Sequence, residues 1–456
     1  MVTRRQIIVI GGVAAGTSAA SKARRVDPNA EIIILQEESV ISYGACGIPY
    51  VLEGIIPKFD MLIARPPTVF KKEHDIEVLV NTRAQKIDTD NKCVYTFSSN
   101  SNKDSKFYYD SLIIATGARA ISPAVEGTDK RGVFLLRNYS DGTRIMDYSI
   151  NSKSCIVAGA GVIGVEIADS FRKRGFDVTL IEMHHQILPN LIDSDMAKFV
   201  QSELESHGVN VLVNEKVVKI TGDLRASGVE TSNRMIEGDL VVLGAGVKPN
   251  SELARDADIR LGYANAIQVD DRMRTSIEDI FAAGDCATAL NYVTGKDTYV
   301  PLGTTANKQG RIAGENAAGG DAIFHGIAGS AITKTFDLYI GRTGLSIQEA
   351  INEGYEPVSR TIKSTTRAGY YPDRKRLWIK IIVDKKSNLV LGAEIIGGEG
   401  VKGRIDLIAF ALMLKATVQD LANYDACYVP PASPVWEPLN IAASQVSKLA
   451  IPDKIP

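Results

Sequence analysis

The cysteine in "SYGACGIPY" (42–50) stands among small residues, with Gly47 and Pro49 just after it. A thiol in that setting is either loop packing or a nucleophile, because only a thiolate attacks disulfide sulfur efficiently. Cys46 is one of five cysteines, with Cys93, Cys155, Cys286 and Cys427. They are odd in number and widely spaced, and no CxxC pair occurs. A disulfide framework or a metal site is therefore not expected, and the usage suits a reducing cytoplasm. "CGIPYVLEG" predicts a short helix starting at Cys46, whose N-terminal dipole would favour the thiolate and lower its pKa.

Two other stretches have the glycine spacing that cradles phosphate. Gly159-Ala-Gly161-Val-Ile-Gly164 satisfies GxGxxG completely. The first glycine permits the tight turn, the second lets pyrophosphate approach the backbone, and the third lets helix pack on strand. Glu182 ends the next strand, where an acid accepts hydrogen bonds from an adenosine ribose and favours NADH. His184, His185 and Lys153 leave a 2′-phosphate, and so NADPH, open. The earlier loop places Gly11, Val13 and Gly16 at the three glycine positions, so its second is valine. Its ribose position is Gln36, with Glu37 next. Asp285 in "AAGDCA" has the character to bind a polyol chain beneath an apolar strand, and Cys286 beside it reads as packing. Two dinucleotide sites have a simple joint use: one holds a nicotinamide that donates hydride, the other a flavin that accepts it.

The elements that must position these residues repeat. "QIIVI" (6–10), a glycine turn, the helix "TSAASKARR" and "EIIIL" (31–35) form one βαβ unit. "CIVAGAGVIGVEIADSFRKRG" (155–175) followed by "DVTLIE" (177–182) forms another. "SLIIATGA" (111–118), "DLVVLGAG" (239–246) and "DIFAAGDCA" (279–287) are buried strands ending in glycine, and "GTTANKQGRIAGENAAGG" (303–320) is a helix rich in small residues. From about residue 326 the pattern changes to strands at 376–384 and 389–398 and an apolar helix at 403–416, an α+β region with an antiparallel sheet. The segment 96–109 is a polar loop or hairpin tip.

The 456 residues suit roughly three domains, and the formal charge is −2 with no long basic block. Nucleic acid and anionic membrane are thus not expected as partners. The apolar run at the N-terminus breaks at a glycine pair and no cleavage site follows, so it reads as a first strand rather than a signal peptide. No window reaches the ~18 apolar residues of a membrane span.

In ordered combination, "IGGVAAG", "ISYGACGIPY", "IIATGA", "AGAGVIGVE", "FAAGDCA", "GTTANKQGR" and "YVPPASPVWEPLN" make the chain resemble the pyridine nucleotide–disulfide oxidoreductases. The closer resemblance is to their single-cysteine branch, the coenzyme A disulfide reductases and NAD(P)H sulfur or polysulfide reductases. It implies an α/β fold: two Rossmann-like dinucleotide-binding domains in the glutathione-reductase-like arrangement, plus a C-terminal α+β dimerisation domain. The expected division is 1–117 and 244–325 for FAD, 118–243 for NAD(P)H, and 326–456 for dimerisation.

The resemblance implies FAD contacts at Gly11, Gly12, Ala14, Ala15, Gly16, Gln36, Glu37, Thr116, Gly117, Asp285 and Thr304. It implies NAD(P)H contacts at Gly159, Gly161, Val162, Ile163, Gly164, Glu182 and Gly246. Two-cysteine relatives would need a cysteine where Val51 stands and a C-terminal histidine, whereas the last histidine is His325. Peroxidase and oxidase relatives carry a histidine where this chain has Ala14. By resemblance, Cys46 rests as a mixed disulfide with coenzyme A, and tyrosines of a partner subunit, Tyr428 and Tyr370 or Tyr371, protonate the expelled thiolate. That implies a homodimer with shared sites and a small-molecule CoA disulfide or polysulfide substrate. Ser42, Tyr43, Arg24, Arg25 and Arg65 are the candidates for holding CoA. An NADH oxidase cycling Cys46 through sulfenic acid, and a redox-sensing flavoprotein, are the alternatives.

Overall fold

The computed structural model describes residues 4–450. Two parallel sheets follow one plan. In the first, Gln6–Ile10 pairs in parallel with Glu31–Leu35 on one side and Ser111–Ile114 on the other. In the second, Ser154–Ala158 pairs in parallel with Asp177–Ile181 and Leu240–Leu243. Continuous Ile/Val runs make such strands because both faces are covered, one by helices and the other by a small antiparallel sheet, leaving no alternating polar side. Each sheet has five strands, with Ile76–Leu79 and Ile280–Ala282 at the edges of the first, and Asn210–Leu212 and Val133–Leu135 at the edges of the second. The edge strand Ile280–Ala282 arrives after the whole second sheet, so the first is closed by a returning segment.

The small-residue helix, Gly303–Ala317, lies against Ala14–Val26, the helix that follows the first strand. A Cβ on Gly310 or Gly314 would stand 2.2 or 2.1 Å from the carbonyl oxygens of Ala15 and Ala19. The composition of this helix is therefore a packing requirement, since its backbone touches its neighbour's. The polar stretch 96–109 closes a hairpin between Cys93–Ser98 and Lys103–Tyr108.

The C-terminal region is an antiparallel sheet in the order Ala331–Thr335, Leu338–Gly344, Val390–Gly397, Arg376–Asp384, Pro357–Thr365. The helices Val401–Met413 and Pro438–Ala450 cover it and leave Phe410, Met413, Leu414 and Trp436 exposed. Several large apolar side chains open to water on one domain mark a surface built to be covered. Lys380 of this sheet, itself buried, reaches Asp193 and Asp195 at 2.8 and 2.7 Å at the start of the helix Ser194–Ser206. Glu394 lies beside them and its carboxyl is pushed up to about 8 by burial and by Asp193. These three acids form the one metal-sized acidic group among the described residues. The Lys380 ammonium already stands against two of them, so the group reads as an ionic clamp between the second nucleotide unit and the C-terminal sheet. Among the described residues no helix is long and apolar enough to cross a membrane.

Candidate active site

Both glycine loops are built the same way. Gly11 and Gly159 adopt φ +110° and +112°, a region open to glycine and strained for other residues. Their N–H groups donate to Leu35 O and Ile181 O at 2.8 and 2.7 Å, which ties each loop to its second strand. At the third position a Cβ on Gly16 would lie 1.8 Å from Gly11 O, and one on Gly164 would lie 1.9 Å from Gly159 O. Each helix therefore starts in contact with its own strand. Neither helix start has a side-chain cap or an acid in its first turn. Asn138, Ser346 and Thr417, by contrast, complete capping boxes. Uncapped N–H groups at a glycine turn are a site for an anion such as pyrophosphate. A Cβ at Gly161 would meet nothing within 4 Å, so the second loop has room for that anion above its middle glycine.

The residues at the ribose position also act as braces. Gln36 Oε1 accepts from Gly12 N–H at 2.7 Å while its amide donates to Val40 O at 3.4 Å. Glu182 occupies the same place in the second unit, accepting from Ala160 N–H at 2.8 Å and His184 N–H at 3.0 Å. A carboxylate at position 36 could accept from Gly12 but could not donate to Val40. Glu37 follows it, exposed, 3.6 Å from Arg83 at the edge of the cleft.

A cleft of about 1830 Å³ is lined by Gly11, Val13, Ala14, Ala15, Gln36, Glu37, Cys46, Thr116, Gly117, Arg137 and Asp285. It exceeds the ~300–1,000 Å³ of ordinary small-molecule pockets, as a dinucleotide requires. Ser42 N–H donates to Gly12 O at 2.8 Å, joining the cysteine loop to the first glycine loop, and Ser42 holds φ +49° there. Cys46 lies in a single 3₁₀ turn, Ala45–Gly47, ahead of the helix Ile48–Glu53. The helix expected to start at Cys46 begins two residues later, at Ile48, and the electrostatics also differ from expectation. Cys46 presents surface to the cleft, yet desolvation pushes its thiol up, the Glu166 carboxylate adds to this, and the Arg137 guanidinium opposes it. A one-turn helix start is opposed there by partial desolvation and by two acids, Asp285 being the second.

Other expected residues separate into those at the cleft and those elsewhere. Asp285 is held by Arg137 at 2.5 Å, an arginine that sequence reasoning passed over although it ends the apolar run "VFLL". Thr304 is exposed in the first turn of Gly303–Ala317, whose start lines the cleft. Gly246 takes φ +94° between Leu240–Leu243 and the strand Val247–Pro249. Cys286 is fully buried, as packing requires. Arg65 follows Ala64, whose N–H donates to Ser42 O at 2.8 Å, so it stands exposed beside the cysteine loop. Tyr43 is buried against Tyr139 and bonds Glu38 at 3.1 Å.

Arg25 is exposed near the far end of its helix. Arg24 departs from expectation: its guanidinium donates to the carbonyls of His74, Pro28 and Asp75, so its role is to fix backbone. Tyr370 and Tyr428 meet, hydroxyl to hydroxyl, at 2.9 Å on the C-terminal region, and the bond to Tyr370 keeps Tyr428 protonated to higher pH. Tyr371 is outside this pair, under the Arg367 guanidinium. None of the three lines the cleft of its own chain.

The exposed thiol of Cys46 thus opens into a large cleft beside the first glycine loop, and a second glycine loop is built to the same plan. The chain belongs to the pyridine nucleotide-disulphide oxidoreductase family, which it matches over residues 5–310, with that family's dimerisation domain at 330–438. It is an oxidoreductase. It is 39% identical to a NADH oxidase of Methanocaldococcus jannaschii, over 97% of this chain and 98% of that one. It is 37% identical to a NAD(P)H sulfur oxidoreductase (CoA-dependent) of Pyrococcus abyssi, over 96% and 98%. The reduced CoADR-RHD of Bacillus anthracis superposes with a TM-score of 0.95 at 32% identity, covering 98% of this chain and 81% of that one.

Proposed function

We propose that this chain is an FAD-dependent NAD(P)H oxidoreductase that reduces coenzyme A disulfide, or a CoA persulfide or polysulfide, through Cys46. The observation that carries the reading is one exposed thiol in a cleft framed by the first glycine loop, with Cys93, Cys155 and Cys286 buried and Cys427 in the C-terminal region. The name of the Pyrococcus abyssi relative supports CoA as the sulfur carrier. Residues 1–117 and 244–325 would hold FAD, 118–243 NAD(P)H, and 326–456 the dimer contact, in a cytoplasmic homodimer.

FAD would lie along Gly11–Gly16 with its pyrophosphate on the uncapped helix start, and the Arg137–Asp285 pair would meet its polyol chain. Gly159–Gly164 and Glu182 would hold the nicotinamide dinucleotide. When bound, the flavin accepts hydride from nicotinamide and delivers two electrons to a sulfur–sulfur bond. Cys46 thiolate attacks one sulfur of CoA disulfide, forming Cys46–S–S–CoA and expelling one CoA thiolate. Two electrons and a proton then convert the mixed disulfide to Cys46 thiolate and CoASH. The Tyr370–Tyr428 pair of a partner subunit would supply the proton to an expelled thiolate, which gives its mutual hydrogen bond a use. Ser42, Tyr43, Arg25 and Arg65 would hold CoA.

Intact-mass analysis before and after thiol reduction tests the reading. Loss of a CoA-sized adduct that maps to Cys46 is the expected result. The Methanocaldococcus jannaschii relative favours a second reading, an NADH oxidase that cycles Cys46 through sulfenic acid. A bare or singly oxygenated Cys46 in the air-exposed protein would point to it instead.

A further inference from the structure

Glu166 lies on Val162–Lys173, the helix that opens at the second glycine loop. Its neighbours Val165, Ile167 and Ala168 are fully buried, and its Oε1 accepts a 2.6 Å hydrogen bond from Thr333 Oγ1 of the C-terminal sheet. One turn along the same face, Ser170 Oγ shares its hydrogen between Glu166 O at 2.7 Å and Pro49 O at 2.9 Å. The face that carries Glu166 is thereby fixed to the helix Ile48–Glu53, which the Cys46 turn leads into.

The charged and titratable groups that meet there come from three sides. Cys46, Tyr50 and Glu53 belong to the cysteine segment, Asp169 and Lys173 to Glu166's own helix, and Arg137 and Asp285 to the cleft side of the thiol. Lys173 is engaged by Glu53 and Asp169 at 3.0 Å each, and Arg137 by Asp285. Glu166 has no ion-pair partner among the described residues. Burial pushes its carboxyl up, and its charge in turn pushes the Cys46 thiol up.

We propose that Glu166 is a positioning residue for the reaction at Cys46: a proton on its Thr333-anchored carboxyl permits the thiolate, and loss of that proton disfavours it. Two anions in one partly desolvated site repel, so a charge on the carboxyl opposes a charge on the thiol. When two electrons cleave the Cys46 mixed disulfide, an electron pair stays on Cys46 Sγ and Glu166 takes up a proton from solvent. When that thiolate attacks the next disulfide, the negative charge departs on the expelled thiolate and the Glu166 proton is released. The inference rests on Cys46 being the redox thiol.

The test is the pH dependence of Cys46 alkylation by iodoacetamide, in FAD-loaded protein reduced and desalted beforehand, read by mass spectrometry of the Cys46 peptide. Glu166→Gln removes the opposing charge and keeps the shape. Its alkylation midpoint should fall by about half a pH unit or more, or roughly threefold more thiolate below the midpoint. Thr333→Val removes a bond that favours the ionised carboxylate, so it should shift the midpoint the same way by less. It carries the test if Glu166→Gln does not fold or hold flavin. A midpoint unchanged or raised overturns the proposal. Failure of the functional reading would look different: wild-type protein with neither a CoA adduct nor disulfide turnover, whatever the alkylation profile.

Discussion

The two glycine units are a comparison the molecule makes with itself. Both turn at a positive-φ glycine, both seat a helix against its own strand, and both brace the loop N–H from the end of the second strand. At the glycine and ribose positions of the motif they differ twice, Val13 against Gly161 and Gln36 against Glu182. The second unit keeps open space at its middle glycine and a buried carboxylate beside the loop, which suits a dinucleotide that binds and leaves each cycle. The first fills the middle position with a partly buried valine and replaces the acid by an amide that also secures Val40, so the loop is tied into the cysteine segment through Ser42. A resident cofactor needs no open approach, and a loop fixed to the thiol holds the two at constant geometry. On the proposed assignment, with FAD in the first unit and NAD(P)H in the second, the motif would suit a permanent and a transient ligand through its second glycine and its ribose residue.

The largest effects should come from breaking what the units share. Gly16→Ala and Gly164→Ala each drive a Cβ into a backbone carbonyl, so the helix must lift from its strand. Gly16→Ala should cost about 4 kcal/mol or more in unfolding measurements and yield protein without flavin absorbance. Gly164→Ala should keep the flavin and lose about 100-fold in the rate of its reduction by NADH, read by stopped-flow absorbance.

Exchanging the features that differ should do less. Gln36→Glu loses the donor to Val40 and buries a charge near Glu38, at a cost of about 1–3 kcal/mol in thermal unfolding. Glu182→Gln keeps an acceptor for the loop and weakens the hold on ribose, so KM for NADH should rise about tenfold with kcat little changed. A Gln36→Glu protein as stable as the wild type would show that the hydrogen bond to Val40 contributes nothing.

Much of this was legible in the sequence because it is local. Gln6–Ile10, Glu31–Leu35 and Arg376–Asp384 begin and end where their apolar runs do, and the helix from Gly303 stops at Ala317, before the glycine pair that follows. What escaped depends on residues far apart in the chain. Arg137 meets Asp285 and Glu166 meets Thr333 only after the sheets assemble. An acid within the apolar stretch "VIGVEIA" is the readable signal for Glu166, since an ionisable residue amid apolar neighbours needs a reason. A helix start near Cys46 is visible in sequence, while the desolvation and the acids that oppose it are not. Arg24 looked available for phosphate, yet the carbonyls of His74 and Asp75 that occupy it come from a segment fifty residues on.

The central claim is that electrons from the nicotinamide leave the protein through one sulfur. Anaerobic NADH addition to wild type and Cys46→Ser, with CoA disulfide present and released CoASH counted, tests it most directly. Both proteins should reduce their flavin, and CoASH release should fall by about 1,000-fold or more in Cys46→Ser. CoASH release by Cys46→Ser at the wild-type rate would contradict the account.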